Sequence, residues 1–254
     1  MPVTAFQDRQ IVVTGAAGGI GSLVSAHLAA AGATVIGVDR ADCPACNETL
    51  LADLSTEATL AELCTDLARR RVDILVNLAG IQNFGPLVEQ RPADIRLGFA
   101  VNLIAPVTLA RAVLPQMLDR GTGHIVNIGS VMGSIAYPHF AAYSSSKAGL
   151  RGFSEALRRE LHGLGIAITH IAPRAARTGF NDSRVSRFLA MTKMKVDEPD
   201  TVARAIIAAI AGRKKDVVIG AAESFLIAAN ALAPRLIDAG LARQTTGART
   251  LFTS

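Results

Sequence analysis

The sequence predicts one α/β domain built on a doubly wound, mostly parallel seven-stranded sheet with helices on both faces. Half of the 254 residues are hydrophobic and only 4% are aromatic, which suits a sheet covered by Ala/Leu-rich helices. Short apolar runs alternate along the chain with stretches of helical periodicity. A glycine-rich turn joins the first apolar run to the first helical stretch. This length fits a single large domain, so we assign residues 1–254 to one domain.

The composition argues against several other classes of protein. The net charge of +5 is modest and spread along the chain, so we expect no nucleic-acid partner. We see no secretory signal and no run of about twenty uninterrupted apolar residues, and we expect a cytoplasmic protein. Three cysteines do not suggest a disulfide framework. The pair Cys43 and Cys46 has redox or metal-site spacing, but without a second pair of ligands we favour chance spacing and expect no metal.

The first strand and helix frame a turn suited to a phosphate. The run 10–14 reads as a buried strand, and Gly15, Gly19 and Gly21 follow it before a helical stretch at 22–31. Glycines allow a tight bend and a close approach to a pyrophosphate, while the helix N-terminus offers free N–H groups to the anion. Strand, turn and helix together predict a Rossmann-type dinucleotide site.

The end of the second strand bears on the choice of cofactor. The strand 34–38 ends at Asp39, where a carboxylate can accept hydrogen bonds from the adenine-ribose hydroxyls. Such a carboxylate repels a 2′-phosphate, so NAD is favoured over NADP. The neighbouring Arg40 leaves NADP open as the less favoured alternative.

The next crossover is unusually short. Only residues 40–48 separate Asp39 from the third apolar run, 49–52, and we expect no full helix there. Asp53 follows that run and is positioned to accept from the adenine amino group. An amphipathic helix is predicted over 56–70, and a fourth strand over 72–76 leads to residues 77–80.

A long apolar helix is predicted over 94–118, bent at Pro106. It carries Asn102, and an asparagine in such surroundings requires hydrogen-bond partners. Asn102 either caps a kink or, through its side chain or its carbonyl, anchors a water that leads to Lys147.

The strongest functional signal lies between Ser130 and Lys147. Tyr143 and Lys147 stand four residues apart in a helical segment, which places both side chains on one face. A cation near a phenol lowers its pKa and helps it to exchange a proton. Ser130 follows the strand-like run 124–128, at the edge of the sheet where such folds bind ligands, and can hold a carbonyl or alcohol oxygen.

The remaining chain predicts a strand over 165–171, a helix over 201–211 and a strand over 216–219. Residues 178–197 read as a mobile substrate-covering loop with a short helix. Residues 222–239 read as an apolar helix interrupted at Pro234, which needs a cover: a partner subunit, the substrate pocket or, less favoured, a membrane surface. Candidate substrate contacts are Gln82, Phe84, Met132, His139, Phe140 and the segment 188–194.

Taken together, these motifs resemble the short-chain dehydrogenase/reductase family over roughly residues 7 to 220. Thr14 to Gly21 resembles its cofactor turn, Asn77 to Gly80 its Asn-Asn-Ala-Gly motif with one change, and Ser130, Tyr143, Lys147 and Asn102 its catalytic residues. The resemblance implies a nicotinamide cofactor, hydride exchange at an alcohol or carbonyl carbon, and a homodimer or homotetramer. The residues assigned to the cofactor are Gly15, Gly19, Ile20, Gly21, Asp39, Arg40, Asp53, Leu54, Asn77, Ala79, Gly80, Tyr143, Lys147, Pro173, Ala176 and Thr178.

One position departs from the family pattern. Its Pro-Gly pair is Pro173 and Arg174 in this chain. Arg174 either removes backbone freedom beside the nicotinamide or meets an anionic substrate or a phosphate.

The sequence therefore predicts an NAD(P)-dependent oxidoreductase that acts on a small alcohol or ketone, with an apolar substrate (lipid, steroid-like or 3-oxoacyl) favoured by the pocket candidates. The alternatives are a non-catalytic dinucleotide-binding regulator and a peripheral membrane protein held by the C-terminal helix.

Overall fold

The computed structural model describes residues 6–252, without the side chains of residues 243–247 and 249. Seven parallel strands form one sheet in the order β3-β2-β1-β4-β5-β6-β7, which confirms the predicted fold class. The strands are β1 (Gln10–Thr14), β2 (Thr34–Asp39), β3 (Glu48–Leu51), β4 (Ile74–Asn77), β5 (Gly123–Ile128), β6 (Ile166–Pro173) and β7 (Asp216–Ile219).

Helices cover both faces of this sheet. The α-helices are α1 (Gly21–Ala30), α2 (Glu57–Arg69), α3 (Pro92–Phe99), α4 (Ala105–Asp119), α5 (Ala141–Glu160), α6 (Ser183–Met191), α7 (Pro199–Ala211), α8 (Ala221–Leu232) and α9 (Pro234–Ala248). Short 3-10 turns occur at Leu87–Glu89, Val131–Gly133 and Arg249–Leu251.

Side-chain alternation along the strands divides the core into two layers. Ile11 and Val13 of β1 pack with α1 and α7, whereas Val12 between them packs with α2, α4 and α5. Successive residues of a strand point to opposite faces, so a parallel strand buried on both sides must be apolar throughout. Each fully buried aliphatic side chain stabilises the fold by roughly 1.5–3 kcal/mol, and the two layers hold the carboxyl ends of the strands in one line.

The short crossover between β2 and β3 is confirmed. Residues 40–47 contain turns and no helix, although the two strands pair in parallel. A turn closes this link, with Cys46 N–H donating to the Cys43 carbonyl over 2.9 Å. Gly37 leaves room for the turn, since a Cβ atom there would lie within 2.9 Å of both cysteine sulfurs.

The long helix has its irregularity at a different place from the one predicted. Pro92 to Asp119 forms one continuous helix, and a π-helical segment, Ala100–Ile104, separates α3 from α4. Pro106 stands in the first turn of α4, directly after that segment, and its missing N–H leaves the Asn102 carbonyl without an α-helical donor. The interruption therefore lies at Asn102. This helix is long and apolar enough to span a membrane by composition, but its inner face is buried against α2 and the sheet.

The C-terminal region is two helices rather than one interrupted apolar helix over 222–239. α8 and α9 meet at Pro234 with a bend of 118°, so their apolar residues do not form the single face that the spacing predicted. Phe225 and Leu232 of α8 and Leu236 of α9 are largely exposed. The predicted covering loop, 178–197, contains α6, whose first turn is capped by the Asp182 carboxylate accepting from Val185 N–H over 2.8 Å.

Candidate active site

A cavity of about 800 Å³ runs along the carboxyl edge of the sheet. Every residue assigned to the cofactor lines it except Asn77, and Ser130, Tyr143 and Lys147 of the predicted catalytic group line it as well. Parallel strands end at a common edge, so residues far apart in sequence meet there.

The glycine turn forms a cradle of bare backbone at one end of this cavity. Gly15 adopts a φ of +72°, and a Cβ atom on it would lie 2.8 Å from the Ala79 Cα atom. A Cβ atom on Gly21 would lie 1.9 Å from the Gly15 carbonyl oxygen. No larger residue fits either position without moving the main chain, and the turn leads into the N-terminus of α1, the end of a helix that favours an anion.

Sequence analysis missed the residue that holds this cradle to the neighbouring strand. The Thr14 hydroxyl accepts from the N–H groups of Leu78 and Ala79 over 3.0 and 3.1 Å. A threonine at the last position of a strand that precedes a glycine turn is the signal that would have identified it.

Asp39 lies at the far end of the cradle. One carboxylate oxygen accepts from Ala17 N–H at 3.0 Å and the other from Arg40 N–H at 2.7 Å. Each oxygen retains a lone pair for a hydroxyl in the cavity. Asp53 is also in place, and Ser55, through its hydroxyl and then its backbone N–H, lowers the pKa of this carboxyl.

Asn77 does not line the cavity, and its assignment to the cofactor stays a prediction. It is buried and donates to the Asn127 carboxamide oxygen over 2.8 Å, joining β4 to β5. Asn77 therefore positions the strand end that carries Ala79 and Gly80.

Ser130, Tyr143 and Lys147 meet at the centre of the carboxyl edge. Ser130 follows β5 and accepts from Met132 N–H over 3.1 Å, while α5 carries both other residues on its buried face. Lys147 Nζ donates to the Ile128 carbonyl over 2.9 Å. Ser130 also acts on the Tyr143 phenol, whose pKa it lowers.

The burial of this group sets its protonation. Desolvation raises the pKa of Tyr143 to about 12, against the smaller lowering effect of Ser130. Desolvation also lowers the pKa of Lys147 to about 8. The phenol pKa is raised rather than lowered as expected, and Lys147 Nζ donates to the Ile128 carbonyl. At neutral pH the phenol is protonated, which is the form that donates a proton.

The side chain of Asn102 makes three hydrogen bonds to other residues of the protein. Its oxygen accepts from Ile81 N–H over 2.9 Å, and its nitrogen donates to the Ile81 carbonyl and to the Ser146 hydroxyl over 2.9 and 3.0 Å. The side chain is therefore a brace between the π-helical segment and residue 81, and both of its N–H donors are used in it. Its role as a water anchor stays a prediction, with the backbone carbonyl as the alternative. Ser146, which sequence analysis missed, completes the brace.

Arg174 lines the cavity and forms ion pairs with two protein carboxylates. Its guanidinium donates to both oxygens of Asp197, over 2.8 and 2.6 Å, and to Glu223 over 2.9 Å. Both carboxylates raise the pKa of Arg174, Asp197 more than Glu223. Three of the five N–H donors of the guanidinium are thus used by protein carboxylates, and a contact with an anionic ligand stays a prediction.

The predicted substrate contacts separate into two groups. Gln82 and Met132 line the cavity, as do Leu189 and Met194 of the covering segment. Phe84, His139, Phe140 and Phe188 instead stack on one another beside it, so they support the wall and do not form it. Phe180, of the predicted covering loop, and Leu226, of the C-terminal helix for which the pocket was one possible cover, also line the cavity. Tyr137 lines it as well and was not predicted.

Among the residues that the structure describes, no cluster of three His, Cys, Asp or Glu side chains could hold a metal ion. Cys43 and Cys46 lie within the β2–β3 link. Burial, with Cys46 as a smaller cause, raises the pKa of Cys43 to about 11. A thiol with so high a pKa is a poor nucleophile at neutral pH.

Comparison with known proteins gives a consistent result. Residues 9–187 match the family model for short chain dehydrogenases. The chain is 31% identical to dehydrogenase/reductase SDR family member 7B of Danio rerio, over 95% of this chain and 88% of that one. It is 32% identical to ketoacyl reductase HetN of Nostoc sp., over 85% and 80%. It is 28% identical to 3-ketodihydrosphingosine reductase of Bacteroides thetaiotaomicron, over 79% and 76%.

Solved structures share the architecture along nearly the whole chain. A short-chain dehydrogenase from Streptomyces avermitilis superposes with a TM-score of 0.78 at 28% identity, covering 95% of this chain and 99% of that one. One from Sphingobium yanoikuyae in complex with NADPH gives 0.77 at 28%, over 91% and 96%. The complex of 4-hydroxyisoleucine dehydrogenase with NADH gives 0.74 at 28%, over 84% and 97%.

Proposed function

This chain belongs to the short-chain dehydrogenase family and is an NAD(P)-dependent oxidoreductase, and we propose that it interconverts an apolar alcohol and the corresponding ketone with NAD as its preferred cofactor. The observation that carries the proposal is the meeting of Ser130, Tyr143 and Lys147 with the glycine cradle and Asp39 in one cavity. Neither half alone would make an enzyme of this class.

The residues present fit a dinucleotide. The cradle of Gly15, Gly19 and Gly21 takes a pyrophosphate, because a Cβ atom at any of these positions would meet protein atoms at 2.9 Å or less. Asp39 suits ribose hydroxyls, and Lys147 suits the ribose beside the nicotinamide. When bound, the nicotinamide supplies hydride to a carbonyl carbon or accepts it from an alcohol carbon.

The side chains of the protein control the proton and the oxygen. In reduction, the protonated phenol of Tyr143 donates to the carbonyl oxygen while the Ser130 hydroxyl hydrogen-bonds to the same oxygen. In oxidation, Tyr143 must first lose its proton and then accept one from the alcohol. The Asn102 backbone carbonyl cannot accept from residue 106, because Pro106 has no N–H, and in this proposal it supports a proton path from Lys147 to solvent.

The preference for NAD is supported by charge. Asp39 would repel a 2′-phosphate, while Arg40 lies on the same wall of the cavity and would reduce that repulsion. Relatives of this fold hold either cofactor: the two complexes described above contain NADPH and NADH. The carboxylate accounts for our choice, because it faces the cavity at the end of β2, where the ribose of a dinucleotide lies.

The apolar substrate is supported by the cavity wall. Met132, Leu189, Met194 and Leu226 line its substrate half, and these side chains recognise hydrocarbon better than hydroxylated sugars. Two relatives are named for reducing ketoacyl and ketodihydrosphingosine compounds, which agrees with a ketone on an apolar chain.

We also propose a cytoplasmic homodimer or homotetramer. An apolar groove of about 330 Å³ lies between α4 and α5, with Leu114, Leu118 and Phe153 on its walls. The π-helical segment before α4 adds the exposed Ile104. An apolar surface on these two neighbouring helices is suited to a second copy of the chain.

A second candidate, a peripheral membrane protein, is favoured by one observation. Phe225, Leu232 and Leu236 are 74%, 88% and 74% exposed around the α8–α9 bend. Pelleting with liposomes tests it, and protein that stays in the supernatant with every lipid composition would exclude it. The role does not conflict with catalysis.

The test of the main proposal is a spectrophotometric screen of alcohols and ketones with NAD(H) and NADP(H). We expect turnover with medium-chain or polycyclic apolar substrates, higher kcat/KM with NAD(H), and little turnover with sugars. A protein that binds NADH but turns over no alcohol or ketone would be the non-catalytic regulator instead.

A further inference from the structure

Arg174 is the centre of a buried group of three charges beside the substrate half of the cavity. The side chains of Arg174, Asp197 and Glu223 are only 11%, 10% and 16% exposed. The guanidinium spends three donor contacts on the two carboxylates, with distances of 2.6 to 2.9 Å. A planar guanidinium holds carboxylates in fixed directions, as a lysine ammonium does not.

The two carboxylates belong to two different segments beside the cavity: Asp197 to the end of the covering segment and Glu223 to α8. Asp197 ends the covering segment, and its backbone pairs with the chain just after β6: its N–H donates to the Ala175 carbonyl, and its carbonyl accepts from Arg177 N–H, each at 2.9 Å. Glu223 lies in the first turn of α8, three residues before Leu226. Arg174 therefore links the C-terminal end of the covering segment, at Asp197, to the first turn of α8, at Glu223.

The backbone at Gly220 is shaped to admit this contact. Gly220 has a φ of +126°, and a Cβ atom on it would lie 2.0 Å from a Glu223 carboxylate oxygen and 3.0 Å from a guanidinium nitrogen of Arg174. Any side chain at residue 220 would displace the ion pair. The turn from β7 into α8 and the charge pair thus depend on each other.

A neighbouring ion pair supplies a natural comparison. Arg177 contacts Glu198 over 3.0 Å at the same base of the covering segment, but the two side chains are 73% and 64% exposed. Exposed pairs of this kind contribute little. Removing one partner of a buried pair is costly, because it leaves an uncompensated charge.

We propose that Arg174 is a positioning residue that fixes the distance between the covering segment and α8, and so sets the affinity and selectivity for the apolar substrate. It takes no part in proton or hydride transfer. The inference rests on the proposed function for its kinetic consequence, while its structural consequence is independent of it.

The kinetic test compares Arg174→Gly, which restores the residue of the family pattern, with Arg177→Gly as the matched control. We expect Arg174→Gly to lower kcat/KM for the best apolar substrate roughly 10–100-fold through KM, the size of effect that misplacement of a binding wall produces. The value of kcat and the affinity for NADH should change far less. Arg177→Gly should resemble the wild type. Adding guanidinium ion at a non-denaturing concentration should restore the KM of Arg174→Gly, and sodium chloride at equal ionic strength should not.

The structural test is hydrogen–deuterium exchange of the intact protein. Arg174→Gly should speed exchange in residues 183–197 and 221–232 and leave β1 and α1 unchanged. Glu223→Gln should affect mainly 221–232, and Asp197→Asn mainly 183–197, so these variants test each arm even where Arg174→Gly does not fold.

An unchanged KM in folded Arg174→Gly would overturn the proposal. Exchange that rises equally across the whole protein, or that does not separate between the two arms, would overturn it as well. If the wild type turns over no substrate, the proposed function fails, and the exchange experiment still decides whether Arg174 couples the two segments.

Discussion

The two ends of the sheet treat polar side chains in opposite ways. At the amino end, polar groups close on the protein itself: Asp73 accepts from Gln10 N–H over 2.9 Å, and Arg213 donates to the Gly165 carbonyl over 2.9 Å. At the carboxyl end, Asp39, Ser130 and Tyr143 face a cavity of about 800 Å³.

The difference shows which polar residues of an α/β sheet stabilise it and which act on a ligand. A buried polar group costs free energy unless it is hydrogen-bonded. At the amino end these polar groups are hydrogen-bonded to other parts of the protein. At the carboxyl end, polar groups that face the cavity can still form hydrogen bonds with a ligand. Substitutions at the two ends should therefore separate: those at the amino end lower stability, and those at the carboxyl end lower activity.

Tyr143→Phe tests the carboxyl end and should give the largest effect. We expect kcat to fall about 10²–10⁴-fold, because the phenol is the group that carries the proton, while NADH binding and the unfolding temperature stay close to the wild-type values. Tyr137→Phe is the matched control, since Tyr137 is the other tyrosine of the chain and also lines the cavity. A Tyr143→Phe variant with more than roughly a tenth of wild-type activity would refute the assignment.

The amino end should show its role through pH. His124 is buried on β5 and lies 2.8 Å from the Thr169 hydroxyl. Desolvation, with Arg213 as a smaller cause, lowers its pKa from 6.5 to about 4. Between these values the unfolded chain binds a proton that the folded protein does not, so stability falls as the pH drops from 6.5 to about 4.

Urea unfolding across that pH range measures the effect, which we expect to approach about 3 kcal/mol. The contribution of His124 is the part of the slope that disappears in His124→Gln. His162→Gln is the control, because His162 is exposed near the end of α5. A wild-type slope that persists in His124→Gln would show that another group carries the acid sensitivity.

Asp39→Ala sharpens the comparison within the carboxyl end and should give the smallest effect. Loss of the carboxylate removes both the ribose acceptor and the repulsion of a 2′-phosphate. We expect the ratio of kcat/KM for NAD over NADP to fall roughly tenfold, about 1.4 kcal/mol, with no change in substrate range. Arg40→Ala should move the same ratio in the opposite direction. Tighter binding of NADPH than of NADH by the wild type would mean that Arg40 dominates this site.

Local patterns predicted the parts of the molecule that local chemistry determines. Residues close in sequence determine the strand, glycine turn and helix around Gly15. They also determine the placement of Tyr143 and Lys147 on one face of α5. The irregularity of the long helix was predicted at Pro106, because a proline inside a helix ordinarily marks a bend. It lies just before that proline, in the π-helical segment, where the Asn102 side chain bonds to residue 81.

The substrate half could not be predicted in this way. Arg174 lies 23 residues from Asp197 and 49 from Glu223, and only the finished sheet brings them together. Asn77 was assigned to the cofactor from its motif, yet its partner is Asn127 on the next strand. Contacts of this range leave no periodicity in the sequence.

The missing helix between β2 and β3 also bears on how the chain folds. Parallel strands are ordinarily joined by a crossover of a dozen residues or more, but residues 40–47 are sufficient here. Within this link, the Asn47 side-chain oxygen accepts from Val35 N–H over 2.8 Å. The entropy lost on closing a loop grows with its length, so β2 and β3 form the parallel pair whose association is least expensive in this sheet. The edge of the sheet that carries Asp39 can thus be organised while the distant C-terminal strands are still unpaired, which would give refolding intermediates early protection of the amides in β2.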